Sequence, residues 1–376
     1  MLRIRSKKVY IDEKFVPAVI EIDNGKIRGI MDYDDEYDKD YGDMKIYPGF
    51  VDIHCHGYQL FDFSNADEEK FVKWIKDLPK EGCTGFLPSS STGSEEKILK
   101  AMKLFRKYIE NPIKGAHVLG INTEGPFISF DKAGAQNKYE IMMCKSETIE
   151  KWQEVSGGNI LYNTIAPEMD RDYAMTKWCA ENGIVVAIGH TDATYETAMG
   201  AVDSGARSFT HTYNGMSQFD SRKPGVVGAA FDSDVYAELI ADGVHTHPAS
   251  ARALAKIKGK DKLIIVTDSV SLKGAKPGVY DKNAATKVIV HEDGSIRLPD
   301  GRLSGSSNAM NKLLRNAVIN MHIDEVTAVN AMSKNPCELL NIKGKGLIKE
   351  GYDADITILD DDYNVIMTYC LGEEML

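Results

Sequence analysis

Two histidines separated by one residue, His54 and His56, are the first candidates for chemistry in this chain. They follow the apolar stretch 50–53, which predicts a buried strand, and Gly57 marks where that strand stops. Because side chains alternate along a strand, both imidazoles are expected to point the same way from its end. Such a pair is typical of metal ligands, although two core histidines would have the same spacing.

Further imidazole and carboxylate side chains stand at the ends of later predicted strands. They are Glu124, His190, His211 and Asp268. With the first two histidines they offer nitrogen and oxygen ligands that suit Zn²⁺ or a similar divalent first-row ion. A carboxylate beside a metal can accept a proton from an attacking water and later return it to a leaving group, and Asp268 is the last carboxylate of the set. The pattern therefore favours metal-assisted hydrolysis.

Eight apolar stretches, most of them followed by a helix-like segment, would position these residues. They are 50–53, 82–88, 118–124, 160–166, 184–190, 208–211, 237–241 and 263–268. Continuous apolar runs are typical of buried parallel strands, and eight strand–helix units predict an α/β fold, a closed (β/α)8 barrel of the TIM type. In such a barrel the carboxyl ends of the strands meet at one mouth. A doubly wound open sheet is the alternative, but no GxGxxG motif follows the first strand.

The two ends of the chain differ from its middle. Short alternating strands fill 1–47, with Asn24-Gly25 as a hairpin turn, and the same pattern returns after Gly346. Neither end has enough apolar faces to stand alone, so both are expected to pair into one small β-sandwich domain. The predicted division is 1–48 with 346–376 for this domain and 49–345 for the barrel. A strand-like insertion at 275–302 is expected beside the site.

Composition excludes several classes of function. The formal net charge of −11 argues against nucleic acid, which needs a basic surface. No apolar run approaches the roughly 20 residues of a membrane span. The six cysteines are scattered without a CxxC pair, and no apolar segment of a signal peptide follows the start. These features predict a cytoplasmic protein with reduced thiols.

The order of the candidate ligands resembles that of the amidohydrolase superfamily. Within it, the runs TEGPF at 123–127 and HTYNGM at 211–216 resemble the enzymes that remove the N-acetyl group of N-acetylglucosamine 6-phosphate. The similarity continues through the runs at 241–245, 266–268, 303–306 and 351–355. Many superfamily members carry a carbamylated lysine after the fourth strand. Here 166–168 reads Ala-Pro-Glu, and Glu124, after the third strand, takes over that position.

The resemblance implies a role for each candidate ligand. Glu124, His190 and His211 would hold a principal divalent metal, and His54 and His56 a second one, with Glu124 bridging. Zn, Fe, Co and Mn all suit such a site, with one or two ions per subunit. The oxyanion would be stabilised by His245, and Asp268 would carry the proton to the departing amine, giving glucosamine 6-phosphate and acetate.

The resemblance also implies a substrate site. Its members are Ala135, Gln136, Asn214, Gly215, Arg222, His245, Leu303, Ser304 and Gly305. Backbone N–H groups of Asn214 and Gly215 can bind an anion, and Arg222 matches a phosphate-binding arginine that reaches in from the neighbouring subunit. A homodimer with shared sites is therefore expected. Because several relatives carry His where this chain has Gln136, the preference between gluco and galacto sugars is left open.

Other functions stay possible from the sequence. Another metal amidase, such as a cyclic-imide hydrolase, is disfavoured by the missing lysine, while a deacetylase of N-acetylgalactosamine 6-phosphate is not. A non-catalytic amidohydrolase-like binding protein should have lost ligands or the base, yet all are present. The expected partner is a small sugar phosphate, without nucleic acid or membrane. Four further histidines are expected to be structural or on the surface: His117, His247, His291 and His322.

Overall fold

Five strands open the chain in the computed structural model, which describes residues 1–283 and 286–376. They are β1 (Leu2–Ile11), β2 (Lys14–Asp23), β3 (Lys26–Met31), β4 (Lys39–Asp40) and β5 (Lys45–Pro48). β1, β2 and β3 form an antiparallel meander, and β5 lies parallel to β1 on its other side. The Asn24-Gly25 turn between β2 and β3 has positive φ at both residues, as a tight hairpin requires.

Parallel strands that close into a barrel follow directly. They are β6 (Phe50–Cys55), β9 (Cys83–Ser90), β10 (His117–Val118), β11 (Ile121–Glu124), β12 (Ile160–Ile165), β13 (Val185–Ile188), β14 (Ser208–Phe209), β15 (Tyr236–Leu239) and β16 (Leu263–Ile265), with a hairpin of β7 (Gly57–Tyr58) and β8 (Phe61–Asp62) after β6. The pairing order is β6-β9-β11-β12-β13-β14-β15-β16, and the short β10 pairs parallel with β9 at residues 85–86, before β11 pairs with it at 89–90. A parallel bridge between Cys55 and Ser269 joins the first strand to the segment after the last. The predicted barrel is confirmed.

Helices cover the outside of the barrel. They are α1 (Glu68–Asp77), α2 (Glu95–Glu110), α3 (Ser146–Ser156), α4 (Ala174–Glu181), α5 (Tyr195–Asp203), α6 (Gly225–Asp232), α7 (Pro248–Lys262), α8 (Met310–Arg315), α9 (Glu325–Met332) and α10 (Lys334–Leu339). In α1, Asp67 caps the first turn by accepting a hydrogen bond from the Lys70 N–H. Its apolar face buries Trp74 against Phe86 of β9, with ring centroids 5.0 Å apart. Among the described residues, no helix has the length and apolar character needed to cross a membrane.

A small antiparallel sheet lies beside the mouth of the barrel. It consists of β17 (Gly278–Asn283), β18 (Thr286–Val290) and β19 (Ile296–Arg297). Leu272, Val288 and Ile296 are buried in an apolar cluster of their own beneath it. The predicted strand-like insertion at 275–302 is therefore confirmed for its described part, and 284–285 lie outside the described residues.

The chain returns to its first sheet at the end. The last strands are β20 (Ile356–Leu359), β21 (Val365–Cys370) and β22 (Glu373–Glu374), and β20 pairs antiparallel with β5. The sheet has the order β22-β21-β20-β5-β1-β2-β3, with β4 on β1. Ile4 and Ile20 from the start of the chain are buried in one core with Ile356 and Ile358 from its end. The predicted pairing of the two chain ends is confirmed, and it produces one mixed sheet.

Candidate metal centre and substrate cavity

The six candidate ligands converge at the carboxyl end of the barrel. They form two groups, His54 with His56 and Asp268, and Glu124 with His190 and His211. Within each group, the atoms that could bind a metal lie within 4.8 Å of one another. The structure thus brings together all the side chains that the sequence placed at strand ends.

Strained backbone aims three of these side chains into the mouth. His190, His211 and Asp268 follow β13, β14 and β16 and have φ angles of 48°, 30° and 46°. A non-glycine residue held in this region costs on the order of 1–3 kcal/mol, and such strain is concentrated at functional sites. Here it falls on three members of one cluster.

Glu124 lies between the two groups. Its Oε1 is 2.9 Å from His211 Nε2 and 3.2 Å from His190 Nε2. Its Oε2 is 3.2 Å from His56 Nε2. One carboxylate therefore contacts imidazoles of both groups, an arrangement in which it could bind two cations at once.

The second group has a similarly close geometry. His54 Nε2 and His56 Nε2 are 3.1 Å apart, and Asp268 Oδ1 is 3.3 Å from His56 Nε2. Two neutral imidazoles that turn their lone pairs toward each other at this distance repel, and a cation between them removes the repulsion. The donor set of each group fits a divalent first-row ion.

Hydrogen bonds on the far side of the rings favour this orientation. His190 Nδ1 donates to the carbonyl oxygen of Lys132 at 2.8 Å, and His54 Nδ1 donates to Glu238 at 2.9 Å. His56 Nδ1 is 3.0 Å from the hydroxyl of Ser91. Because a carbonyl and a carboxylate accept hydrogen bonds, the first two rings keep their proton on Nδ1 and present the Nε2 lone pair to the centre, as metal-binding histidines do.

The electrostatics of the cluster also favour a cation. Burial alone would raise the pKa of Glu124, but the imidazoles of His190 and His54 hold it well below its ordinary value. Burial alone would also raise the pKa of Asp268, but the contact with His56 lowers it to about 2. For His56, burial lowers the pKa, yet Asp268 and Glu124 raise it to about 9. A cluster that attracts protons to its imidazoles this strongly is suited to a divalent cation in their place.

A cavity of about 190 Å³ opens above the cluster. Besides the ligands, its walls include eight of the nine predicted substrate-binding residues: Ala135, Gln136, Asn214, Gly215, His245, Leu303, Ser304 and Gly305. The ninth, Arg222, is exposed on the loop before α6, and it is not among the described residues that line the cavity of its own chain. Its backbone N–H donates to the carboxylate of Asp220 at 2.9 Å.

Two of the cavity residues have partners that the sequence did not indicate. The His245 Nδ1 is 2.7 Å from Asp242 Oδ2; burial lowers the pKa of His245, but Asp242 raises it above its ordinary value. Gln136 donates from its side-chain amide to Glu124 Oε2 at 2.7 Å, and its oxygen accepts from the Thr92 N–H at 2.8 Å. Gln136 therefore contacts a candidate ligand directly.

Sequence reasoning missed Glu238 and Asp242. Glu238 is completely buried on β15 and contacts His54, while Asp242 lies in the 241–245 run and holds His245. The available signal for Glu238 was a carboxylate inside the apolar stretch 237–241. Of the remaining histidines, His247 is exposed and caps α7 by accepting from the Ala249 N–H.

Comparison with known proteins gives consistent matches. Residues 46–375 match the amidohydrolase family. The chain is 37% identical over 335 residues to N-acetylglucosamine-6-phosphate deacetylase of Bacillus subtilis strain 168, covering 88% of this chain and 84% of that one. It is 38% identical over 317 residues to the enzyme of the same name from Lysinibacillus sphaericus, covering 84% and 81%. A point mutant of N-acetyl-D-glucosamine-6-phosphate deacetylase from Mycobacterium smegmatis, solved in complex with N-acetyl-D-glucosamine-6-phosphate, has a TM-score of 0.94 at 27% identity, over 100% of this chain and 99% of that one.

Proposed function

Because this chain belongs to the amidohydrolase family, we propose that it removes the N-acetyl group of N-acetylglucosamine 6-phosphate. The products are glucosamine 6-phosphate and acetate, in the catabolism of amino sugars. The observation that carries the proposal is the cavity itself, which joins both groups of candidate ligands to eight predicted substrate-binding residues. Relatives at 37% and 38% identity bear the name of this activity.

The proposed ligand sets follow the two groups. Glu124, His190 and His211 would hold a principal divalent ion, and His54 and His56 would hold a second, with the Glu124 carboxylate in contact with imidazoles of both groups. Zn, Fe, Co and Mn all accept such mixed nitrogen and oxygen ligands. When bound, a metal here would polarise the acetyl carbonyl and lower the pKa of a nearby water.

Asp268 is proposed as the group that moves the proton. It borders the cavity and, with a pKa of about 2, is charged at neutral pH, so it can accept a proton from the attacking water. It then protonates the amide nitrogen as the carbon–nitrogen bond breaks. Because an amine is far more basic than this carboxylate, the second transfer is downhill.

His245 is proposed to stabilise the oxyanion. Asp242 accepts its Nδ1 hydrogen bond and raises its pKa, which favours the imidazolium that also carries a proton on Nε2. The Nε2–H can then donate to the carbonyl oxygen as negative charge develops there. The ring borders the same cavity as Asp268, so both groups can reach one substrate.

The phosphate is proposed to bind where Asn214 and Gly215 line the cavity, which we call its phosphate end. The Gly215 N–H would contact it, whereas the Asn214 N–H donates to the His211 carbonyl oxygen at 3.0 Å. Gly215 has a φ of 58°, and a Cβ there would lie only 3.1 Å from His190 Nδ1, so a glycine fits this position best. Arg222 of a second subunit would supply the guanidinium, so the proposed enzyme is a homodimer. Its six free cysteines support a cytoplasmic location.

The test is acetate release from a panel of sugars. N-acetylglucosamine and N-acetylgalactosamine, each with and without a 6-phosphate, are offered to metal-replete and metal-stripped protein. We expect the highest kcat/KM for N-acetylglucosamine 6-phosphate, and activity only with metal. A preference for the galacto sugar would change the substrate, equal rates without phosphate would refute the phosphate site, and no acetate release would favour a binding protein.

A further inference from the structure

Glu238 is a buried carboxylate directly beneath the metal centre. It belongs to β15, and its exposed fraction is 0%. Its Oε2 is 2.9 Å from His54 Nδ1 and accepts a hydrogen bond from the backbone N–H of His211, also at 2.9 Å. A charged group taken completely out of water is costly unless it is paired, and here both partners are candidate metal ligands.

The four imidazoles of the centre differ in the hydrogen-bond partner of Nδ1, the ring nitrogen that points away from the cluster. His56 has the neutral hydroxyl of Ser91, and His190 has the neutral carbonyl of Lys132. The Nδ1 of His211 has no hydrogen-bond partner among the described residues. Among these four rings, only His54 has a carboxylate as the partner of its Nδ1. The second group therefore differs from the first in the charge of the group that holds its ring.

The physical consequence concerns the Nε2 atom of His54. A carboxylate on Nδ1–H fixes the tautomer and the ring orientation, and it makes the opposite nitrogen a stronger ligand. The His211 N–H holds the same carboxylate oxygen, so Glu238 cannot rotate away from the ring without losing a second hydrogen bond. His54 Nε2 is thereby held 3.1 Å from His56 Nε2, facing the position of a cation.

We propose that Glu238 is the positioning residue that orients His54 as a ligand of the second ion. This inference rests on the two-metal centre of the proposed function. It does not depend on the identity of the sugar. Removing the charge of Glu238 should weaken the second ion selectively and leave the ion at Glu124, His190 and His211 in place.

Glu238→Gln is the variant of choice, because the amide oxygen can still accept both hydrogen bonds while the charge is lost. Metal content and affinity are measured by elemental analysis and by competition with a chelator, and Co²⁺ absorption reports the second site spectroscopically. Loss of an outer partner of this kind typically costs about 10- to 100-fold in metal affinity. We expect that loss for the second ion only.

Thr164→Val is the matched control. Thr164 is fully buried in the same barrel, and its hydroxyl shares a 2.8 Å hydrogen bond with the hydroxyl of Thr210, which is not a candidate ligand. This variant should lose thermal stability but bind both ions as the wild type does. A merely structural Glu238 would give the same result, with a lower Tm and unchanged metal affinities, and that outcome would overturn the proposal.

A double-mutant cycle tests which side chain transmits the effect of Glu238 to the metal. If Glu238 acts through His54, then Glu238→Gln should have no further effect on metal binding in a His54→Asn background. Additive losses, or equal weakening of both ions in the single variant, would contradict the assignment. A wild type that binds one ion regardless of His54 would refute this inference together with the two-metal centre. Failure of the sugar panel with two ions bound would refute the proposed substrate alone.

Discussion

The two ends of the cavity are built in different ways. At the metal end, Glu124 is 3% exposed and His54 is 0% exposed, and each hydrogen-bonds to groups of the same chain. At the proposed phosphate end, Asn214 and Gly215 are half-buried, and Arg222 is exposed outside the cavity. One chain supplies all six candidate ligands, whereas no lysine or arginine among the described residues lines the cavity.

Physical chemistry explains this difference. Buried charges must be satisfied where they are, so the metal end carries its own network of partners. A phosphate group beside the half-buried Gly215 stays near water, and a backbone N–H can bind it with help from the Arg222 side chain of a second subunit. The chain has a net charge of −11, however, so a dianionic substrate approaches against the field of the whole protein. A guanidinium at the phosphate end should therefore have a measurable effect on substrate binding.

The largest effect is expected for Glu124→Gln. This substitution removes the carboxylate that contacts imidazole Nε2 atoms of both groups, and the principal ion should be lost with it. Because a metal contributes several kcal/mol of transition-state stabilisation, kcat/KM should fall by at least ~10³-fold. Metal content and acetate release are measured on the same preparation.

Glu168→Gln is the control for this variant. Glu168 follows the fourth strand, where many superfamily members carry the bridging lysine, but its carboxylate accepts from the Asp192 N–H at 2.7 Å. The Glu168→Gln variant should therefore retain its metals. If Glu168→Gln lost them and Glu124→Gln kept them, the proposed ligand set would be wrong.

Asp268→Asn should have the next largest effect. The variant is expected to retain the principal ion, whose ligands are unchanged, but it cannot move the proton. Turnover should fall on the order of 10²-fold or more, a typical share of general acid–base catalysis. A metallated Asp268→Asn protein with near-normal kcat would remove Asp268 from the mechanism.

The metal end was also the part of the site that the sequence predicted best. His54 and His56 stand out by their spacing on one strand, and Glu124 ends the third strand of a regular barrel. Strand periodicity and barrel topology are local and repetitive signals, so they predict convergence at the mouth without knowledge of distances. The fold and the six candidate ligands could be found in this way.

The supporting contacts could not be predicted, for two reasons. The partner of His190 is the backbone carbonyl of Lys132, and a backbone atom has no signature in the sequence. Glu238 and Asp242 are ordinary acidic residues until the fold places them against His54 and His245. Contacts between residues far apart in the chain depend on side-chain rotamers, which residue type does not determine.

Arg222→Ala tests the other end of the cavity. If Arg222 binds phosphate, ground and transition states share the interaction, so KM should rise more than kcat falls. A lost charge-assisted hydrogen bond is worth roughly 1.5–3 kcal/mol, so kcat/KM should fall by about 10- to 150-fold. Activity on the sugar without phosphate should barely change. The measurement is a comparison of KM and kcat for both sugars.

Lys223→Ala is the matched control for Arg222→Ala. Lys223 carries the same charge on the same exposed loop, next to Arg222, so a general effect of the loop's charge would appear in both variants. We expect kcat/KM of Lys223→Ala to stay within about twofold of wild type, the range of an exposed charge with no specific contact. Equal losses on phosphorylated and unphosphorylated sugars in Arg222→Ala would refute the phosphate site.

The last test combines two impaired variants in one dimer. Asp268→Asn and Arg222→Ala chains are co-expressed, and acetate release is compared with that of each variant alone. In a mixed dimer, one site has both defects, while the other has an intact Asp268 and receives Arg222 from its partner. Random pairing in a two-fold symmetric dimer should therefore restore about a quarter of wild-type activity. Activity no higher than the average of the two variants would mean that each cavity binds phosphate with its own chain alone, and the difference between the two ends would then disappear.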